Sequence, residues 1–375
     1  MRIDRYDAVV LGAGMAGVCF AIAMAEAGKK VLVADRAGVK GQSSPAAGGI
    51  LDPLLEMKPD SPLFRLSQKA FQGYPGFIKK IQSAVKADVG YKKTGMLYVA
   101  LDADQLDVLK KRYLWQKKSA IPVTWMSREK IFKQYPYLSA KSMEGMFYPT
   151  IGRVHPDKLL NALKIYARKR GVRFQSIKAD ARIIARKNRV TGVRLENKFV
   201  LSPVVLNAAG AWAAKFNHPA LRPRVSPVRG QIIIYAARNW SCEAILHTVD
   251  GGYLVPWEKN RYLAGSTVEH VGFNSAVTGK GKSLIRKKVS SLIPAVENFK
   301  PVKTWAGLRP FSQDGLPWIG ETKLRGYYLA AGYYRSGILI SPLAGRLLAQ
   351  QVLSGKSPAE LKPFSPTRRF KKVPR

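Results

Sequence analysis

Tyr6-Asp-Ala-Val-Val-Leu-Gly-Ala-Gly-Met-Ala-Gly17 is the stretch whose reading decides the fold. A short apolar strand runs there into a turn holding Gly12, Gly14 and Gly17, and a helix follows from about Met15 to Ala27. Gly12 permits the tight turn, Gly14 lets backbone approach a pyrophosphate, and Gly17 lets helix and strand pack closely. Phosphates would sit at the positive end of the helix dipole, on N–H groups of the first turn that includes Met15 and Ala16. The helix stops at Gly28, a second apolar strand Lys30-Val-Leu-Val-Ala-Asp35 follows, and Asp35 lies 23 residues beyond Gly12. An acidic side chain at that strand tip, with Arg36 beside it, is the acceptor that a ribose hydroxyl pair needs. The unit is a dinucleotide-binding βαβ, and its helix is apolar nearly all round, so it should be buried on both sides.

At 375 residues the chain can bury a large core and is expected to hold two domains. With 46% hydrophobic residues and no apolar run of about 18 residues, it reads as a soluble, cytoplasmic enzyme. Cys19 and Cys242 have no metal spacing and form no CxxC pair, and His155, His218, His247 and His270 are scattered, so no metal is expected. The unusual quantity is charge: 63 Lys and Arg against 24 Asp and Glu give +39. A field of that sign favours anionic partners. It is spread over short clusters (Lys79-Lys80, Lys110-Lys111-Arg112, Arg168-Lys169-Arg170, Arg286-Lys287-Lys288, and Arg368-Arg369 with Lys371-Lys372), which read mostly as solvated helix faces rather than one footprint.

Along the chain, the glycine-rich connection Gly41 to Gly49 reads as a loop passing close to a flat cofactor. Ser61-Pro62 starts a helix with a kink expected at Pro75. Tyr91 to Ala100 reads as strand, followed by a helix with Leu106, Leu109 and Tyr113 on one face and a short helix after Ser127. Gly152 to Pro156 opens a helix that Gly171 closes. The next parallel strand starts at Val172, and a meander of Ala181–Arg186, Arg189–Glu196 and Phe199–Leu206 runs into the small-residue turn Asn207-Ala-Ala-Gly-Ala-Trp212. Strands dominate from Val225, including Tyr262 to Glu269, with one helix around Ser283 to Ile293. A last strand, Tyr327 to Ala331, precedes a helix to about Leu353, and the last dozen residues read as frayed.

The glycine turn, the Ser43 to Ile50 loop, Asn207 to Trp212, Arg229-Gly-Gln, Tyr253-Leu-Val-Pro, Gly265-Ser-Thr-Val-Glu, Trp305-Ala-Gly-Leu-Arg-Pro and Tyr334-Arg-Ser-Gly together resemble the D-amino-acid-oxidase superfamily of FAD-dependent oxidoreductases. Within it they are most similar to the glycine-oxidase branch of the thiamine pathway. The resemblance spans nearly the whole chain and implies an α/β fold: a Rossmann-like FAD-binding domain (residues 1–85, 150–222 and 303–375) interleaved with a large mixed or antiparallel-sheet substrate domain of α+β type (86–149 and 223–302). It implies FAD, held without a covalent bond because no cysteine lies near Arg309 or Asp314.

The resemblance also assigns roles. Arg309 would hold a substrate carboxylate in a planar fork, Tyr253 would meet the same carboxylate, and Val268 would lie beside the α-carbon. Besides the glycine turn, Asp35 and Arg36, the cofactor positions are Ser43, Ser44, Ala46, Ala47, Gly48, Gly49, Val172, Ala208, Gly210, Trp212, Arg335, Ser336, Gly337 and Ile338. Tyr333 and Ser336 stand where the family usually has histidine and asparagine. The activity implied is hydride transfer from glycine or another small amino acid or amine to flavin N5, giving an imine and hydrogen peroxide, with dioxygen or a quinone as acceptor and a homo-oligomeric enzyme. The alternative is a related branch of flavin oxidases that modify a carboxymethylaminomethyl group on a tRNA wobble uridine, which +39 would favour.

Overall fold

In the computed structural model, residues 4–54, 57–179, 181–216 and 223–369 are described. His218, the boundary at residue 222 and the pair Lys371-Lys372 lie outside them. In chain order, the elements that carry the site are β1 (Ala8–Leu11), α1 (Met15–Glu26), β2 (Val31–Arg36), α2 (Pro62–Val85), β3 (Met96–Val99), β4 (Thr124–Met126), β5 (Gly145–Tyr148), α3 (Pro156–Lys169), β6 (Arg173–Ile177) and β7 (Val205–Asn207). They continue with β8 (Val225–Ala236), β9 (Ile245–Thr248), β10 (Tyr253–Glu258), β11 (Arg261–Gly265), α4 (Gly279–Leu292), β12 (Lys300–Ser312), β13 (Trp318–Glu321), β14 (Tyr327–Ala331) and α5 (Gly337–Ser354).

A six-stranded sheet has the order β6-β2-β1-β7-β14-β13 and is parallel except at β13. The chain steps from β1 to β2 on one side and later returns to β7 on the other. The carboxyl ends of β1 and β7 therefore flank a switch point, where an open α/β sheet presents its ligand crevice. Helices α1, α2, α3 and α5 cover one face in a single apolar cluster. The all-round apolarity of α1 follows: α5 lies so close that a Cβ at Gly345 would come within 2.8 Å of the Cys19 carbonyl carbon. An eight-stranded mixed sheet, β12-β8-β11-β10-β9-β3-β5-β4, is antiparallel except where β9 runs parallel to β3. Its strands come from both sides of the β6–β7 region in sequence, so the chain alternates between the two sheets, as the α/β, interleaved expectation requires.

Several local readings need correction. The expected strand Phe199–Leu206 is two strands, Lys198–Leu201 in a small meander sheet and β7 in the parallel sheet. Pro203 has no N–H for a ladder, and the Ser202 hydroxyl donates to the Val204 carbonyl at 2.7 Å in a tight turn. The strand expected over Tyr262–Glu269 ends at Gly265, and Tyr91–Ala100 splits into Lys92–Lys93 and β3. Strand β9, which joins β10 to β3, had no counterpart in the sequence reading. Ser61 caps α2 by accepting the Phe64 N–H at 3.2 Å, and the helix continues through Pro75 to Val85.

The C-terminal segment is not frayed as far as Arg368. Leu361 and Phe364 are fully buried, and Arg368, read as part of a solvated cluster, is buried against Asp314. Its Nε and Nη2 donate to the two carboxylate oxygens at 2.8 and 3.0 Å, while Nη1 donates to the carbonyl oxygens of Phe364 and Pro317. A planar fork matched to a carboxylate holds what a run of charges would not. Replacing Arg368 with alanine leaves the largely buried Asp314 carboxylate without its counter-ion, held only by the Ser312 hydroxyl and the Leu316 N–H, so a loss of about 2–4 kcal/mol is expected. Urea melts of the wild type and Arg368→Ala check this; equal midpoints would contradict it.

Candidate active site

The nucleotide end of the site begins at the turn after β1. Gly12 has φ of +112°, and a Cβ there would lie 2.5 Å from the Ala208 carbonyl oxygen at the end of β7. The turn thus closes the switch point and aims the start of α1 into the crevice. Ser44 Oγ accepts the Met15 N–H at 3.1 Å, while those of Ala16 and Gly17 have no intrahelical acceptor in a first turn. At the tip of β2 the Asp35 carboxylate accepts the N–H of Arg36 at 3.1 Å and that of Ala13. Burial pushes its carboxyl up, against those bonds and the pull of Lys164.

Residues 41–49 contain a short helix, Ser43–Ala46, rather than open loop, and they stitch the two sheets together. Gly41 O accepts the Leu308 N–H at 2.9 Å, Ser43 Oγ donates to Leu308 O, and Ala46 O accepts the Trp305 indole N–H at 3.1 Å. This places β12, and with it Arg309, against the segment that follows β2.

Arg309 lies flat across β8: a Cβ at Gly230 would come within 2.3 Å of its Nη1, Cζ and Nη2. Nη1 donates to Thr267 O at 3.0 Å and Nη2 to Ser266 Oγ at 2.8 Å, which fixes the plane of the fork. The Tyr253 ring covers Gly265, its register partner in β11, and carries its hydroxyl to 3.0 Å from where a Cβ of Gly48 would stand. His247 packs beside Tyr253 and stacks on Tyr98 with ring centroids 4.3 Å apart. Burial pushes its imidazole down to about 3, so it is neutral, with Nδ1 2.7 Å from Thr248 O.

These parts open into one cleft with an empty volume of about 2050 Å³, counting its mouth. Its walls include Gly12, Gly14, Met15 and Ala16, Asp35 and Arg36, residues 42–50, Ala208, Gly210 and Trp212, Tyr253, Arg309, and residues 333–338. Three sequence candidates lie elsewhere. Gly17 is buried under the Gly12 carbonyl, where a Cβ would be 2.1 Å away. Val172 is packed in the helical core, and Ile177, at the far end of β6, reaches the cleft instead. Val268 is 48% exposed: with β11 ended, Thr267 turns inward and Val268 outward. Sequence reasoning missed His247, Ser266 and Asp52 on the walls; no spacing marks them, and His247 lies on β9, which was not read. Neither cysteine lines the cleft, and burial pushes the Cys19 thiol up to about 12. Among the described residues, no group of three or more His, Cys, Asp or Glu side chains could hold a metal ion, and no helix is long and apolar enough to cross a membrane.

The glycine backbone at a helix N-terminus, the carboxylate at the β2 tip and the length of the cleft fit an adenine dinucleotide running from Asp35 toward Arg309. The fold and cleft thus define a dinucleotide-dependent oxidoreductase. Residues 7–351 match the family described as FAD dependent oxidoreductase, and the chain belongs to that family. FAD is its cofactor. The chain is 30% identical over 371 residues to glycine oxidase of Pseudomonas aeruginosa (96% of this chain, 99% of that one). It is 29% identical over 375 residues to glycine oxidase of Geobacillus kaustophilus (98% of each). The crystal structure of glycine oxidase from Geobacillus kaustophilus superposes with a TM-score of 0.89 at 28% identity, covering 98% of this chain and all of that one.

Proposed function

We propose that this enzyme oxidises glycine or another small amino acid or amine to its imine, with release of hydrogen peroxide and a role in thiamine biosynthesis. The observation that carries this reading is the Arg309 fork, held in one plane at the far end of a dinucleotide cleft beside the Tyr253 hydroxyl. Bound FAD would supply the acceptor for the hydride leaving the substrate's α-carbon and the route for that electron pair to dioxygen. The chain's own residues supply position and field. Arg309 binds the substrate carboxylate as a bidentate pair and so fixes the direction of the α-carbon–hydrogen bond. Tyr253 donates its hydroxyl to the same carboxylate. Neutral His247 places no second cation beside it. The N–H groups of Gly337 and Ile338, at the start of α5 on the cleft wall, would favour negative charge on a flavin held there.

The nucleotide is held by residues 12–16, Asp35 and the 43–49 segment, without a covalent link; acid precipitation should leave the flavin in the supernatant. We assign residues 1–85, 150–222 and 313–375 to the FAD domain and 86–149 and 223–312 to the substrate domain, moving the expected boundary at 303 because β12 pairs along its length with β8, in a cytoplasmic homo-oligomer. An anaerobic titration of the holoenzyme with glycine, sarcosine and other small amino acids tests the reading. Flavin absorbance should bleach and return with air as peroxide appears. Bleaching that only a quinone reverses would move the enzyme to the dehydrogenases, and no bleaching with any of these amines would overturn the reading.

A further inference from the structure

Behind Arg309 lies a cluster of polar side chains that the chemistry above does not use. Thr267, Gln231 and Arg229 are 1, 1 and 4% exposed, and Glu269 is the carboxylate they share. Thr267 Oγ1 donates to Glu269 Oε1 at 2.5 Å, Gln231 Nε2 to the same oxygen at 2.7 Å, and Arg229 Nη2 to Oε2 at 2.5 Å. The Gln231 backbone N–H in turn donates to Thr267 Oγ1 at 2.9 Å, and the Gln231 amide is bound at both ends by Thr278, the cap of α4. Burying a guanidinium, an amide and a hydroxyl against a carboxylate whose own side chain is 23% exposed costs free energy unless each is satisfied. A cluster of this kind between two strands needs an explanation beyond packing.

The explanation is its output. Thr267 is the one member bonded on both sides: its hydroxyl to Glu269 and its carbonyl oxygen to Arg309 Nη1. We propose that Glu269 is a positioning residue for Arg309, acting through Thr267, so that the plane of the carboxylate-binding fork is set from behind by the Arg229–Gln231–Glu269 cluster. The inference rests on the reading of Arg309 as the carboxylate anchor. Without the side-chain bond, the peptide that presents Thr267 O can turn about a segment already outside regular strand, and the guanidinium follows its acceptor. The main chain nearby is pinned independently, by paired backbone bonds between Arg229 and Glu269 of 2.9 and 3.0 Å. Removing the Glu269 side chain therefore loosens the orientation of Thr267 without releasing the segment. Burial raises the Glu269 carboxyl, but the bonds from Arg229, Thr267 and Gln231 outweigh it and hold the group below the usual carboxylate range. The carboxylate is thus ionised wherever the enzyme works.

The test uses the holoenzyme and acetate, an unreactive carboxylate whose binding is read from the flavin absorbance. Partners that orient a ligand-binding group typically matter by about 10- to 100-fold when removed. Glu269→Ala and Thr267→Val should weaken acetate binding, and raise KM for the amino acid, by that factor. The limiting rate of anaerobic flavin reduction at saturating substrate should fall as well, by a smaller factor than the affinity. Thr267→Ser, which keeps the hydroxyl, should restore wild-type binding, and it remains informative if Glu269→Ala fails to fold. Acetate affinity within twofold of wild type in Glu269→Ala and Thr267→Val overturns the inference. So does a fall in the limiting rate as large as the fall in affinity, or a Thr267→Ser that behaves like the valine. Arg309→Ala serves as the separate control: if it leaves acetate binding intact, the carboxylate reading itself fails, and this inference with it.

Discussion

Arg309→Ala is expected to lower kcat/KM for the amino-acid substrate by about 30- to 5000-fold, because truncating one partner of a buried, hydrogen-bonded charge pair costs about 2–5 kcal/mol. The fork is preorganised: its plane is fixed by Thr267 O and Ser266 Oγ, and Gly230 lets it lie against the strand. Such a group contributes through charge and also through the direction it imposes on the reacting bond, so KM should rise and the rate of flavin reduction at saturation should fall. Arg309→Lys keeps the charge without the planar fork. It should recover part of the affinity and little of the orientation. A companion change separates geometry from charge. Gly230→Ala places a Cβ within 2.3 Å of the guanidinium without touching its charge, and should approach the lysine variant in its effect. Steady-state and anaerobic stopped-flow measurements on the three variants check these outcomes. An Arg309→Ala enzyme with wild-type KM would remove Arg309 from substrate binding.

How much of this was legible in the sequence depended on whether a feature is local. The βαβ unit could be read because its glycines, its apolar helix and Asp35 sit in one window, each with its own steric or electrostatic reason. Helix caps were equally local, as Ser61-Pro62 shows. Sheet membership was not. Nothing in Ile245–Thr248 announces that it pairs with Met96–Val99 far away in sequence, so His247 could not be placed in the cleft. Val268 was placed by resemblance alone, and the strand read as reaching Glu269 stops at Gly265, after which Thr267 is buried and Val268 exposed. Arg368 was misread for a related reason. A basic pair near a terminus looks solvated until the fold brings Asp314 beneath it.

The second large effect should appear at the other end of the cleft. Gly12→Ala is expected to yield protein purified largely without flavin, because two costs coincide at that residue. A φ of +112° is strained for any residue with a Cβ, at about 1–3 kcal/mol. The added methyl would also meet the Ala208 carbonyl oxygen at 2.5 Å, which β7 cannot easily yield, since it is paired on both sides with β1 and β14. The turn must therefore move, and with it the first residues of α1 that cradle the pyrophosphate. A displacement worth about 3 kcal/mol in cofactor binding corresponds to roughly a hundredfold in Kd. Gly28→Ala is the control. Gly28 also has positive φ, +76°, but has open space where a Cβ would be. It should cost about 1 kcal/mol of stability and leave FAD affinity unchanged. Reconstitution of both apoproteins with FAD, followed by flavin fluorescence, distinguishes the cases. If Gly12→Ala binds as the wild type does, the switch point between β1 and β7 is not where the pyrophosphate lies. If both variants lose flavin alike, backbone strain anywhere in the βαβ unit suffices, and the close approach to Ala208 has no special part in binding.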